Sequence, residues 1–83
     1  MVFASGFIES NAIDDNEKVI RELDRKNIEA NAVNGEKITF LIERNTFSEV
    51  KKEIDTLKDI DGVRSVYLAY YSIEESDLDS QKN

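Results

Sequence analysis

Apolar and polar positions along this chain switch repeatedly between a period of two and a helical period, and the switches divide it into six elements. Residues 2–8 are β-rich and apolar on both parities, as in a central strand covered on both faces. A polar turn follows, in which Asp14 and Glu17 have the spacing of a capping box with Asp in place of Ser or Thr. Residues 17–26 then place Val19, Ile20 and Leu23 on one side and Glu17, Lys18, Arg21, Glu22 and Arg25 elsewhere, which predicts an amphipathic helix. From Ile28 the alternation returns: Ile28, Ala30 and Ala32 oppose Glu29, Asn31 and Val33, a modest strand suited to a sheet edge. Asn34-Gly35 predicts a type I′ hairpin, whose two central positions need positive φ. The returning strand, residues 36–44, sets Ile38, Phe40 and Ile42 on one face and Lys37, Thr39, Leu41 and Glu43 on the other.

A second helix is announced by Thr46-Phe47-Ser48-Glu49, again with capping-box spacing, and carried by Phe47, Val50, Ile54 and Leu57. Its end is expected near Asp61-Gly62, where glycine can close a helix in the left-handed conformation. The last strand counts Val66, Leu68 and Tyr70 onto one face and Tyr67, Ala69 and Tyr71 onto the other.

The order βαββαβ, with short connections and right-handed crossovers around one hairpin, predicts an α+β, ferredoxin-like split sheet of antiparallel order 4-1-3-2 with both helices on one face. Residues 1–73 would form this single domain, and residues 74–83 an acidic disordered tail. The helices are expected to cover Ile38, Phe40, Ile42, Val66, Leu68 and Tyr70. The opposite face would stay open, carrying Tyr67, Ala69, Tyr71, Leu41, Thr39 and one parity of the first strand. Phe3 and Phe7 on that parity would make the face strongly apolar; Ala4, Gly6 and Ile8 would make it flatter.

Composition narrows what such a face can do. With no Cys and no His, the chain has no disulfide, no zinc or copper site of the Cys/His kind and no Cys/His catalytic pair. Its carboxylates are spread along helix surfaces and the tail instead of being paired in a pocket, so no catalytic residues are assigned. Asp14 and Asp15 match no calcium loop, and neither a GxGxxG nor a P-loop spacing is present, so no metal and no cofactor is expected. The N-terminal apolar run is too short for a secretory or membrane-spanning segment, which predicts a cytoplasmic protein without direct membrane insertion. A net charge of −7 opposes nucleic acid and favours a cationic partner. Tyr67 and Tyr71 with Phe3 or Phe7 have the makings of a base-stacking platform, but Lys37, Arg44 and Arg64 are too sparse a basic surround for RNA or DNA. An apolar floor with an acidic rim suits a basic amphipathic peptide, the character of a bacterial export signal.

The segment Asp61-Gly62-Val63-x-x-Val66-x-Leu68-x-Tyr70, followed by Glu74-Glu75, resembles the C-terminal signature of the NapD-type chaperones of periplasmic nitrate reductase. The likeness extends more weakly over nearly the whole chain. It departs from the family pattern at Tyr71, where members often carry His, and at Ser5-Gly6-Phe7-Ile8, where the first strand is often SLVV-like. The resemblance implies a small cytoplasmic, non-enzymatic protein that binds the twin-arginine signal peptide of a molybdenum-containing catalytic subunit and delays its export until the cofactor is loaded. The expected peptide-binding residues are Phe7, Thr39, Leu41, Glu43, Tyr67, Ala69 and Tyr71, acting in a monomer. The alternative is an ACT-like regulatory domain that binds a small metabolite between two subunits.

Overall fold

The computed structural model describes residues 1–73; the expected acidic tail lies outside the described residues. The strands are β1 (Val2–Ser10), β2 (Glu29–Asn34), β3 (Lys37–Arg44) and β4 (Val63–Ile73), and the helices are α1 (Asn16–Arg25) and α2 (Phe47–Leu57). The sheet runs β2-β3-β1-β4 with every neighbouring pair antiparallel. This is the predicted α+β, ferredoxin-like arrangement.

Local chemistry explains the element ends, not always as the spacing predicts. At α2 the cap forms: Thr46 Oγ1 accepts from the Glu49 amide at 3.2 Å, while Glu49 reaches back one residue further than a capping box requires, its Oε1 accepting from the Asn45 amide at 3.0 Å. At α1 it does not. Asp14 falls inside a 3₁₀ turn, Ile13–Asp15, and Asp15 caps the helix without a side-chain hydrogen bond. A buried polar bracket holds this end instead: Ser10 Oγ lies 2.6 Å from Asn16 Oδ1, and Asn16 Nδ2 donates to the Gly35 carbonyl at 2.7 Å. It ties the end of β1 and the start of α1 to the β2–β3 turn. α1 closes in a Schellman motif, with Asn27 at φ 60° and the Ile28 amide donating to the Leu23 carbonyl at 2.9 Å.

Both glycine turns differ from expectation. Asn34 pairs with Lys37, so the central residues of the hairpin are Gly35 and Glu36, and only Gly35 has positive φ, at 63°. One positive φ at the first central position is the pattern of a type II′ turn, not type I′. Gly62, at φ 100°, does not cap α2, which ends at Leu57; it turns the chain into β4, where the Val63 amide donates to the Ile60 carbonyl at 3.1 Å.

The core lies between the sheet and the two helices. Val2, Ala4 and Ile8 of β1, Ile38, Phe40 and Ile42 of β3, Val19 and Leu23 of α1, and Val50 and Leu57 of α2 are buried there. The first strand therefore turns its even-numbered residues inward and leaves Phe3, Ser5, Phe7 and Glu9 on the far side.

The last strand corrects the predicted alternation. Val66 pairs with Ile8 and Leu68 with Gly6, but Tyr70 pairs with Ser5, so Ala69 is an extra residue with no partner in β1. Such a bulge exchanges the parity of everything beyond it. Tyr70, expected beneath the helices, is 64% exposed, and Leu68 is 42% exposed at the margin of α2 instead of inside the core. Gly6 makes the bulge possible. A Cβ there would overlap the Tyr67 carbonyl oxygen and lie 3.0 Å from Leu68 Cα, both backbone atoms that cannot turn aside. A register shift in β2, between Ala30 and Ala32, likewise moves Ala32 opposite Thr39 and so off the core parity expected for it.

Gly6→Ala is therefore expected to destabilise the domain by about 3 kcal/mol or more in urea unfolding, the upper range for overpacking, because β4 must move off β1. An unchanged midpoint would show that the two backbones are not so close.

Candidate functional site

The sheet face away from the helices is organised in rows by register. Lys37, Glu9 and Ser65 form one row; Thr39, Phe7 and Tyr67 the next; then Leu41, Ser5 and Tyr70; then Glu43, Phe3 and Ser72. From β2, Ala32 joins the Thr39 row and Glu29 the Leu41 row. Four rings, Phe3, Phe7, Tyr67 and Tyr70, thus share one face, and among the described residues no helix covers it. At two residues per row the face is about 20 Å long from Phe3 to Glu9.

Phe7 and Tyr67 stack with ring centroids 4.7 Å apart and an interplanar angle of 29°. Lys37 Nζ sits 4.4 Å from the centroid of Phe7, a cation–π contact. Tyr67 nevertheless remains 46% exposed, so the stack offers a usable apolar surface. Thr39 spends its hydroxyl within the sheet, donating to the Ala32 carbonyl at 3.3 Å.

Of the residues expected to bind a ligand, Phe7, Thr39, Leu41, Glu43 and Tyr67 are brought together on this face. Ala69 is the bulge residue. Tyr71 stands opposite Ala4 in the ladder, and its side chain lies outside what is described. The alternation misses Tyr70, which the bulge turns to the open side, and Glu29, which reaches it as the neighbour of Leu41. A signal for the bulge is present: a glycine inside a strand marks a bulge or a close backbone approach.

Charge on the face is unevenly compensated. Near the Lys37 row, Arg64 lies 3.7 Å from Glu9 and 3.6 Å from Glu36, and the Ser65 hydroxyl donates to Glu9 at 2.8 Å. At the other end, no lysine or arginine among the described residues pairs with Glu29 or Glu43. The cations nearest in sequence serve the helix side: Arg44 pairs with Glu53 at 3.5 Å and donates to the Lys26 carbonyl at 2.8 Å, while Lys26 Nζ donates to Thr56 at 3.4 Å.

The recesses of the molecule lie beside the helices, and one of about 510 Å³ between α1 and the start of β2 is bordered by Ile20, Arg21, Asp24 and Glu29. A charged groove of about 510 Å³ lies between α1 and the end of α2, lined among others by Lys18, Arg21, Arg25, Asp59 and Asp61. There the Asp61 carboxylate accepts from Lys18 at 2.9 Å and, with Asp15, holds its ammonium above the usual lysine range. An apolar groove of about 150 Å³ separates α2 from β4, lined by Phe47, Val50, Ile54 and Leu68. Among the described residues no three His, Cys, Asp or Glu side chains gather as a metal site would require, and no helix is long and apolar enough to cross a membrane.

Because Tyr70 stands on the open face, Tyr70→Ala is expected to change unfolding free energy by no more than about 0.5 kcal/mol; a loss of about 3–5 kcal/mol, the cost of truncating a buried ring, would return it to the core. A double-mutant cycle between Phe7→Ala and Tyr67→Ala should show a coupling of about 0.5–1.5 kcal/mol. Comparisons with protein-family models, with curated proteins and with solved structures find no match to this chain, so the chemistry of this face is the ground on which its function is read.

Proposed function

We propose that the open sheet face binds a peptide that is cationic at one end and apolar along the rest, and that the protein acts as a non-enzymatic chaperone for such a segment. The observation that carries the reading is that Phe3, Phe7, Tyr67 and Tyr70 share the face away from the helices, with Tyr67 and Tyr70 exposed, beside Glu29 and Glu43, which pair with no lysine or arginine among the described residues. Half-exposed rings stabilise a small domain less than buried ones do, whereas a partner gains from covering them. Each ring offers apolar area at little side-chain entropy cost, and phenolic hydroxyls keep a partner when the surface is covered. The face is too poor in cations to hold a phosphate backbone. Within reach of it stand Lys37, already over Phe7, and Arg64, already paired.

The specific ligand in this proposal is the twin-arginine signal peptide of a molybdenum-containing periplasmic nitrate reductase catalytic subunit, retained in the cytoplasm until its cofactor is loaded. The support is the NapD-like segment from Asp61 to Tyr70, the ferredoxin-like sheet and the net charge of −7. Arginine suits the carboxylates because its planar fork can pair with them bidentately.

Calorimetric titration of the full chain with a synthetic twin-arginine signal peptide is expected to give saturable 1:1 binding. A peptide whose two arginines are replaced by glutamine should bind more weakly at low salt, and the gap should narrow as salt is raised. Absence of heat with either peptide would overturn the reading, and a stable dimer by light scattering in the same preparation would favour the small-metabolite regulator instead.

A further inference from the structure

We propose that the open face has a direction: the cationic end of the peptide lies at Glu29 and Glu43, and its apolar run crosses Phe3, Leu41 and Tyr70 to reach the Phe7–Tyr67 stack. The inference rests on the peptide-binding reading above and adds to it which end of the ligand meets which end of the sheet.

The two ends of the face differ in how their charges are compensated. Carboxylates stand at both, but among the described residues one pair is taken up by cations and the other is not. Glu9 and Glu36 are taken up by Arg64, and Glu9 also by Ser65. Among the described residues Glu29 and Glu43 have no such partner: Arg44, adjacent to Glu43 in sequence, turns to Glu53 on the helix side, and the Lys26 ammonium is engaged by Thr56. Since Glu29 pairs with Leu41, and Glu43 lies two residues further along β3, the two carboxylates are diagonal neighbours about 7 Å apart at Cα. That spacing lets two consecutive arginines, or one arginine and the peptide's amino group, each find a carboxylate. Lys37 and Arg64 at the far end repel a second cation and tolerate an apolar or neutral segment.

Between the ends every row carries at least one ring. Phe3 is flanked by Glu43, Ser5 by Leu41 and Tyr70, and Phe7 by Thr39 and Tyr67. Export signals place their cationic region before their apolar region, so the amino end of the peptide belongs at Glu29 and Glu43. The bulge at Ala69 is part of this design. By turning Tyr70 to the open side it fills the gap between Phe3 and Tyr67, where unbroken alternation would have set Ala69.

The test uses the full ¹⁵N-labelled chain and a twin-arginine signal peptide carrying a nitroxide at its amino end or, separately, at its carboxyl end. The amino-terminal label is expected to broaden the amide signals of Glu29, Leu41 and Glu43, and the carboxyl-terminal label those of Lys37, Ser65 and Tyr67. The reverse pattern, or equal broadening from both labels, would overturn the direction while leaving peptide binding intact; no binding would remove the reading beneath it and the direction too. In parallel, Glu29→Gln with Glu43→Gln should weaken the arginine peptide about tenfold and leave the glutamine peptide unchanged, whereas Lys37→Gln should not weaken either. Equal losses for both peptides would mean that the two carboxylates do not read the arginines.

Discussion

The close approach of β4 to β1 at Gly6 is the constraint on which the rest of the structure depends. The Tyr67 carbonyl occupies the space a Cβ would need, so the two central backbones meet here without a side chain between them. The extra residue at Ala69 then fits into β4 without parting the strands, and the parity of the strand changes beyond it. Before the bulge, Val66 packs against the core beneath the helices; beyond it, Tyr70 joins Tyr67 on the side away from them. One missing side chain thereby decides which tyrosine stands beside Tyr67 on the open face: Tyr70, opposite Ser5, where unbroken alternation would set Ala69.

The two faces of the sheet divide the work. On the helix side, Ile8, Ile38, Phe40 and Ile42 pack against Val19, Leu23, Val50 and Leu57, and burial of these side chains stabilises the domain by roughly 1.5–3 kcal/mol each before entropy is counted. On the other side, half-exposed rings contribute less to folding and are free to contribute to binding. Polar groups hold the frame between them. The Ser10–Asn16–Gly35 bracket fastens the hairpin turn to α1, and the Schellman turn at Asn27 directs Ile28 back into the core beside Leu23. Charge follows the same division, with Arg44 and Lys26 drawn to the helix side and two carboxylates left on the open one.

The topology and most of the core were legible in the sequence, because Val19, Leu23, Val50, Leu57, Ile38, Phe40 and Ile42 keep clean periods and Thr46 to Glu49 has a capping pattern that forms. The parity of β1 was not, since apolar residues stand at both odd and even positions from Val2 to Ile8 and only the neighbouring layers choose between them. The end of β4 was misread for a related reason: Leu68, Ala69, Tyr70 and Tyr71 are all apolar or amphipathic, so no polar residue marks where the alternation breaks. Gly6 was the available clue, on a different strand from the bulge it permits. The α1 cap and the hairpin turn were misplaced by one or two residues because a 3₁₀ turn and a type II′ turn satisfied the same backbone groups in another way. Leu41, Glu43 and Tyr67 could be assigned to the open face by counting; Phe7 required the neighbouring layers, and Tyr70 and Glu29 the register.

The central claim is that the bulge opposite Gly6 sets Tyr70 beside Tyr67 on the uncovered side of the sheet. Nuclear Overhauser contacts from the Tyr70 ring protons test it most directly. The account predicts contacts to Ser5 and Leu41 and none to Val50 or Ile54 of α2; a Tyr70 ring in contact with those helix residues, and silent toward Leu41, would contradict it.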